Sequence, residues 1–307
     1  MQTIPKCLLL PIDGTDESLR PARFLSRLYP PAEVKLILSY FSTPPPPAYT
    51  NDFGASREML VRKWHFFDQL KREERTIFDH ALEVLTGQGF SKESIQEYVE
   101  PKGMGVSKQA CLLGDIRKVD AIVVQKHVRS RLENLMGLDS ASALVQQCPE
   151  CPVWLTDGEI DSKKAALYII EEEASLRIAD HAGYMLSDTD VDVVLISPGE
   201  KVTHPVSCRP SEALPWLAGH AGELQITCLL RASQILSDYG IAEDRLQITL
   251  VPHKGHSLTQ VLSWCASSGI GILGLGRGRP EGILGVSKTS EAAKIASDFH
   301  NMAVWVA

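Results

Sequence analysis

The sequence predicts an α/β chain made of two repeated, doubly wound domains, each a five-stranded parallel sheet flanked by helices. Three observations predict it. Short apolar runs alternate with helix-period segments throughout. The alternation is written twice. The 307 residues, 44% hydrophobic and 22% charged, suffice for two cores.

The repeat is visible residue by residue. Ser18-Leu19-Arg20-Pro21-Ala22 is echoed by Ser175-Leu176-Arg177-Ile178-Ala179, and Val34-Lys35-Leu36-Ile37-Leu38 by Val191-Asp192-Val193-Val194-Leu195, both at an offset of 157. Val99-Glu100-Pro101-Lys102-Gly103 matches Val251-Pro252-His253-Lys254-Gly255 at offset 152, and Val153-Trp154-Leu155 matches Val304-Trp305-Val306 at 151. Four matches in one order predict domains over 1–157 and 163–307, joined through the polar stretch 157–164.

In the first half, 8–12 is a continuously apolar strand of the kind buried on both faces of a parallel sheet. Residues 16–28 follow as an amphipathic helix with Leu19, Ala22, Phe24, Leu25 and Leu28 on one face, stopped by Pro30-Pro31. After a strand over 34–41 and the prolines 44–47, residues 57–86 carry Leu60, Trp64, Phe67, Leu70, Ile77, Phe78, Ala81 and Leu85 at steps suited to a long helix, with Gly87 as its cap. A strand over 95–99, a helix over 106–113, a strand over 121–124, a helix over 141–147 and a strand over 153–155 complete the half. The second half repeats this with strands over 165–170, 191–196, 246–251, 270–275 and 303–306, and helices over 174–186, 223–239, 258–265 and 290–299.

Composition narrows the function. With 31 basic and 38 acidic side chains the net charge is −7, which disfavours nucleic acid and anionic membranes as partners. No apolar run reaches the roughly 20 residues of a spanning helix, and 7–12 is too short for a signal peptide's core. A cytoplasmic protein whose seven cysteines are reduced and mostly buried is expected.

In doubly wound sheets ligands sit beyond the carboxyl ends of the strands where strand order reverses, so the loops after the first and fourth strands matter most. The first of these reads Leu10-Pro11-Ile12-Asp13-Gly14-Thr15. Asp13 could accept a hydrogen bond from a ligand hydroxyl or serve as a turn acid before the helix. After the second half's fourth strand comes a glycine-rich run with Gly274, Gly276, Gly278, Gly282 and Gly285, then Ser287, Lys288, Thr289 and Ser290. Such a loop lets backbone N–H groups approach a phosphate at a helix N-terminus. Residues 282–289 also approximate a Walker A pattern, but too little chain follows for a P-loop NTPase.

The residues Leu9-Leu10-Pro11-Ile12-Asp13-Gly14-Thr15, the glycine-rich loop, and the endings Cys151-Pro152-Val153-Trp154-Leu155 and Met302-Ala303-Val304-Trp305-Val306 resemble the universal stress proteins in their tandem form. The resemblance covers nearly the whole chain. It implies a strand order of 3-2-1-4-5 and a role in the stress response. It also implies ATP binding, with Mg2+, through a loop of the pattern Gly, two residues, Gly, nine residues, then Gly-Ser or Gly-Thr. It further implies a pseudo-twofold intramolecular pairing of the halves through their last strands, beside which a homodimer of the whole chain is a further expectation.

The two halves depart from that pattern in opposite ways. The first keeps Asp13 but has Lys126, Arg129 and Asp139 where the glycines belong, and matches only at Ser140. Lys126, His127, Arg129 and Arg131 read as a solvated basic loop or an anion-binding cluster. The second keeps its glycines, at its own spacing, but has Ile170 or, with a one-residue shift, Glu171 at the position of Asp13, within Glu171-Glu172-Glu173. At most one nucleotide is expected, with the second half the better candidate, held by Gly274, Gly276, Gly278, Gly285, Ser287, Thr289 and Ser290, while Asp13 and Ser140 are the first half's counterparts. A nucleotide-free scaffold and a weak ATP hydrolase or phosphotransferase using Lys288 and Asp13 are the alternatives. Cys148-Pro149-Glu150-Cys151 follows a helix instead of opening one, which argues for packing over redox chemistry. His253 and His256 lack an evident third metal ligand. No catalytic constellation is evident.

Overall fold

A computed structural model of the chain describes residues 5–50, 56–126, 140–170, 172–199, 201–252, 258–277 and 299–307. They fall into two compact units, Met1–Ser140 and Ala141–Ala307.

The first unit has strands β1 (Lys6–Ile12), β2 (Val34–Ser42), β3 (Ile95–Pro101) and β4 (Ala121–Gln125), in the spatial order β3-β2-β1-β4. Their pairings are parallel. Leu8, Leu9 and Leu10 of the central β1 are wholly buried, as a strand covered on both faces requires. Helix α1 (Asp16–Leu28) starts at Thr15, whose side chain accepts from the Ser18 amide, and buries Leu19, Ala22, Phe24 and Leu25. Helix α2 (Arg57–Gly87) buries only Phe78, Ala81 and Leu85, so its expected apolar stripe meets a core over the C-terminal turns alone. Leu60, Val61 and Trp64 face solvent, Trp64 at 62%. The expected cap at Gly87 is corrected: Gly87 is the last helical residue, and the left-handed residue is Gly89 at φ +95°. The Phe90 amide then donates to Leu85 O at 3.2 Å, which lets Phe90 bury beside the helix end. Helix α3 (Val106–Arg117) completes the unit.

The second unit opens with α4 (Ser140–Gln147) and β5 (Val153–Asp157). It continues through β6 (Lys164–Tyr168), α5 (Glu172–Leu186), β7 (Asp192–Gly199), β8 (Val206–Cys208), α6 (Ala213–Ala218), α7 (Glu223–Asp238), β9 (Leu246–Pro252), α8 (Leu258–Ser267), β10 (Ile272–Leu275) and β11 (Met302–Val306). Strands β9-β7-β6-β10-β11 lie side by side and parallel, the order 3-2-1-4-5. Two further strands extend this sheet. Strand β8 pairs antiparallel with the outer edge of β9, where Ser207 and Thr249 share a 2.8 Å hydroxyl bond. Strand β5 pairs antiparallel with β11, setting Trp154 opposite Trp305. The two indoles are fully buried and stacked, 3.9 Å between centroids at 4°.

Strand β8 and helix α6 were not expected, because three residues are too few for an alternation and Pro215 breaks the helical pattern of 213–218. Cys7, Cys151, Cys208, Cys228 and Cys265 are free thiols, all but Cys7 buried, as expected for them. Among the described residues no helix is long and apolar enough to cross a membrane.

Candidate functional site

In the first unit the chain leaves β1 through a tight turn at Gly14, φ +87°. Asp13 Oδ1 accepts from the Thr15 amide at 3.0 Å and from the Thr15 hydroxyl at 2.6 Å. Asp13 therefore steadies the residue that caps α1, while its own Oδ2 is buried with no hydrogen-bond partner among the described residues. Beside it, the Tyr40 hydroxyl donates to Glu73 Oε1 at 3.4 Å. Burial, followed by the charges of Glu73, Glu74 and Asp13, pushes the Tyr40 phenol up to about 12. Three carboxylates thus act on the Tyr40 hydroxyl near the carboxyl end of β2.

The second unit builds the equivalent turn differently. The Ile170 amide donates to Ser175 Oγ at 3.0 Å, as the Asp13 amide does to Ser18 Oγ at 3.4 Å. The shared bond, at the offset of 157, places Ile170 where the first unit has Asp13, without a shift. Ile170 is 41% exposed. Glu172 opens α5 and pairs with Arg231. At the end of β7, Ser197 donates to Ile169 O at 2.6 Å and accepts from Gln225 Nε2 at 2.7 Å.

Of the glycines singled out in the sequence, Gly274 lies inside β10 and Gly276 just after it. A Cβ at 274 would lie 2.5 Å from Leu167 Cδ2 and 2.9 Å from Ile178 Cγ1. One at 276 would lie 1.9 Å from Ala174 O, so the backbone at the start of α5 fills the space that a side chain would need. Gly278, Gly285, Ser287, Thr289, Ser290 and Lys288 lie outside the described residues, as do His127, Arg129, Arg131, Asp139, Glu171, His253 and His256. Ser140 begins α4, and Lys126 is buried just after β4. Of the predicted loop residues only Gly274 and Gly276 are described, and Asp13 belongs to the other unit. Among the described residues no group of three metal-ligating side chains forms.

One residue had no place in the sequence reading. Arg277, between Gly276 and Gly278, lines a cleft of about 290 Å3 with Arg177, His181 and Tyr184 of α5. A basic residue set in a run of glycines after a buried strand was its only sequence signal. His181 Nε2 accepts from Trp154 Nε1 at 2.9 Å, tying this wall to the stacked indoles.

No protein-family model and no curated protein matches the chain. Solved structures do. The chain is similar to a universal stress protein from Archaeoglobus fulgidus DSM 4304, with a TM-score of 0.58 and 11% identity over 98% of this chain and 95% of that one. It is also similar to a functionally unknown protein from Pseudomonas aeruginosa PAO1, with a TM-score of 0.53 and 14% identity over 99% and 92%. At such identities the likeness is one of fold, and along its full length this chain has the fold of a universal stress protein structure.

Proposed function

We propose that the chain is a cytoplasmic regulatory protein of the stress response, built of universal stress domains over 1–157 and 163–307, that binds one adenine nucleotide in its second half. The observation that carries this reading is the contrast in charge at the strand ends. Asp13, Glu73 and Glu74 crowd Tyr40 in the first half. In the second, Ile170 stands in place of Asp13 and Glu172 is paired with Arg231. ATP with Mg2+ is the proposed ligand, its phosphates held by backbone amides of the 276–285 loop and by the hydroxyls of Ser287, Thr289 and Ser290. The antiparallel β5–β11 pair supports a pseudo-twofold pairing of the halves. Native mass spectrometry and calorimetry with ATP and Mg2+ test the reading. One nucleotide per chain is expected, lost in Gly285→Val and retained in Asp13→Ala.

A nucleotide-free scaffold is the second reading, favoured by the exposed Leu60, Val61 and Trp64 on one end of α2. A protein that is isolated empty and takes up no added ATP with Mg2+ would establish it over the first.

A further inference from the structure

Arg277 is held by its backbone and left idle by its side chain. Its amide donates to Ala307 O at 2.6 Å, and its carbonyl accepts from the Arg177 guanidinium. Both peptide groups are therefore anchored where β10 ends. Yet Nε, Nη1 and Nη2 are all buried and none has a hydrogen-bond partner among the described residues. A guanidinium offers five N–H donors in a rigid fork, and a buried charge with all of them unused is strongly unfavourable unless something fills the fork. Burial, and then the charge of Arg177, pushes Arg277 down to about 10, so it still carries its proton at neutral pH.

The surroundings of the cleft indicate what would fill it. Arg177 and Arg277 share the lining of the cleft with the carboxylates of Glu150 and Asp180. Asp180 is already engaged, accepting from the Tyr239 hydroxyl at 2.9 Å. A polyanion would meet two carboxylates, whereas a single compact oxyanion meets one unused guanidinium, which reaches it by turning from its buried position into the cleft. Tyr184 and His181 supply flat walls for a small organic body, and about 290 Å3 accommodates one of modest size.

We propose that this cleft binds a small molecule carrying one compact oxyanion, a carboxylate or a phosphate monoester, gripped by Arg277. The site shares Arg277 with the 276–285 loop but uses its side chain, the Arg277 amide being engaged by Ala307 O, and neither Ile170 nor Glu172 lines the cleft, so it goes beyond the nucleotide reading and does not rest on it.

The test is calorimetry and thermal unfolding of the full chain with benzoate and, separately, with inorganic phosphate. Saturable one-to-one binding of either supports the proposal. Benzoate as the tighter ligand identifies a carboxylate, and phosphate as the tighter one a phosphate ester. Because His181 contacts Trp154, the tryptophan emission should follow the same isotherm. Arg277→Met should lose the binding while the empty protein's Tm holds or rises, since an unpaired buried charge has been removed. Arg277→Lys keeps the charge without the fork and should weaken binding at least about tenfold. Should Arg277→Met fail to fold, Glu150→Gln provides the independent check and should tighten binding several-fold. No saturable binding of either probe, or undiminished binding in Arg277→Lys together with unchanged affinity in Glu150→Gln, would overturn the proposal.

Discussion

The turns after β1 and after β6 share one hydrogen bond and little else. In both, a backbone amide donates to the Oγ of a serine five residues on, Asp13 to Ser18 and Ile170 to Ser175. Around that bond the first turn places a carboxylate and a hydroxyl cap, while the second places an isoleucine and an acid paired with arginine. The bond that fixes how the chain enters the helix is a folding requirement met twice. The other groups of the two turns are where the halves diverge: Asp13 braces the Thr15 cap in the first, and Ile170 makes no such bond in the second.

The largest expected effect separates the halves by their glycines. Gly276→Ala puts a Cβ against the Ala174 carbonyl and should destabilise the second unit by about 3 kcal/mol or more in denaturant unfolding. Gly14→Ala in the first turn meets only the Ile77 side chain at 3.0 Å and adds a positive-φ penalty, so about 1 kcal/mol is expected. Equal losses would mean that the loop after β10 does not press on α5. For the same reason Gly276 is a poor probe of nucleotide binding, and Gly285→Val is the variant that tests it.

A smaller effect distinguishes the two helix starts. Thr15→Ala removes the side-chain cap of α1 and should cost about 1 kcal/mol. Glu172→Ala removes an exposed pair with Arg231, and only a few tenths of a kcal/mol are expected from chemical denaturation. A loss from Glu172→Ala as large as that from Thr15→Ala would show that the acids of the second turn carry structural weight there.

The smallest effect at neutral pH lies in the second unit's buried thiol. Burial pushes Cys265 up to about 12 from an ordinary value of 9.0. Between these values the folded state holds the proton that the unfolded chain releases. The resulting stability is complete below about pH 9 and is lost as pH rises toward 12. Cys265→Ala should flatten the alkaline limb of the stability profile, and an unaltered limb would assign that loss to other groups.

Much of the fold was legible because its determinants are local. Leu8 to Leu10 read as a doubly buried strand, and the spacing of Leu19, Ala22, Phe24 and Leu25 read as one helix face, each without reference to distant residues. The stripe along α2 misled over its first turns, since periodicity reports an apolar face but not whether a partner reaches it. At the site, the glycine-rich run and Asp13 were visible as residue types. Their surroundings were not. The crowding of Tyr40 by Glu73 and Glu74 depends on how α2 returns over β2, more than thirty residues away along the chain.

By itself the sequence determined the order of the longer strands and helices, the internal repeat and the apolar character of each buried face, because backbone spacing and hydrophobic period are carried by neighbours along the chain. Only the tertiary structure decided that β8 joins the edge of β9, that Ala174 occupies the space beside Gly276, and that the guanidinium of Arg277 is buried without a hydrogen-bond partner among the described residues. Those outcomes depend on which groups from far along the chain arrive at the same place, and burial and hydrogen-bond satisfaction exist only once they have arrived.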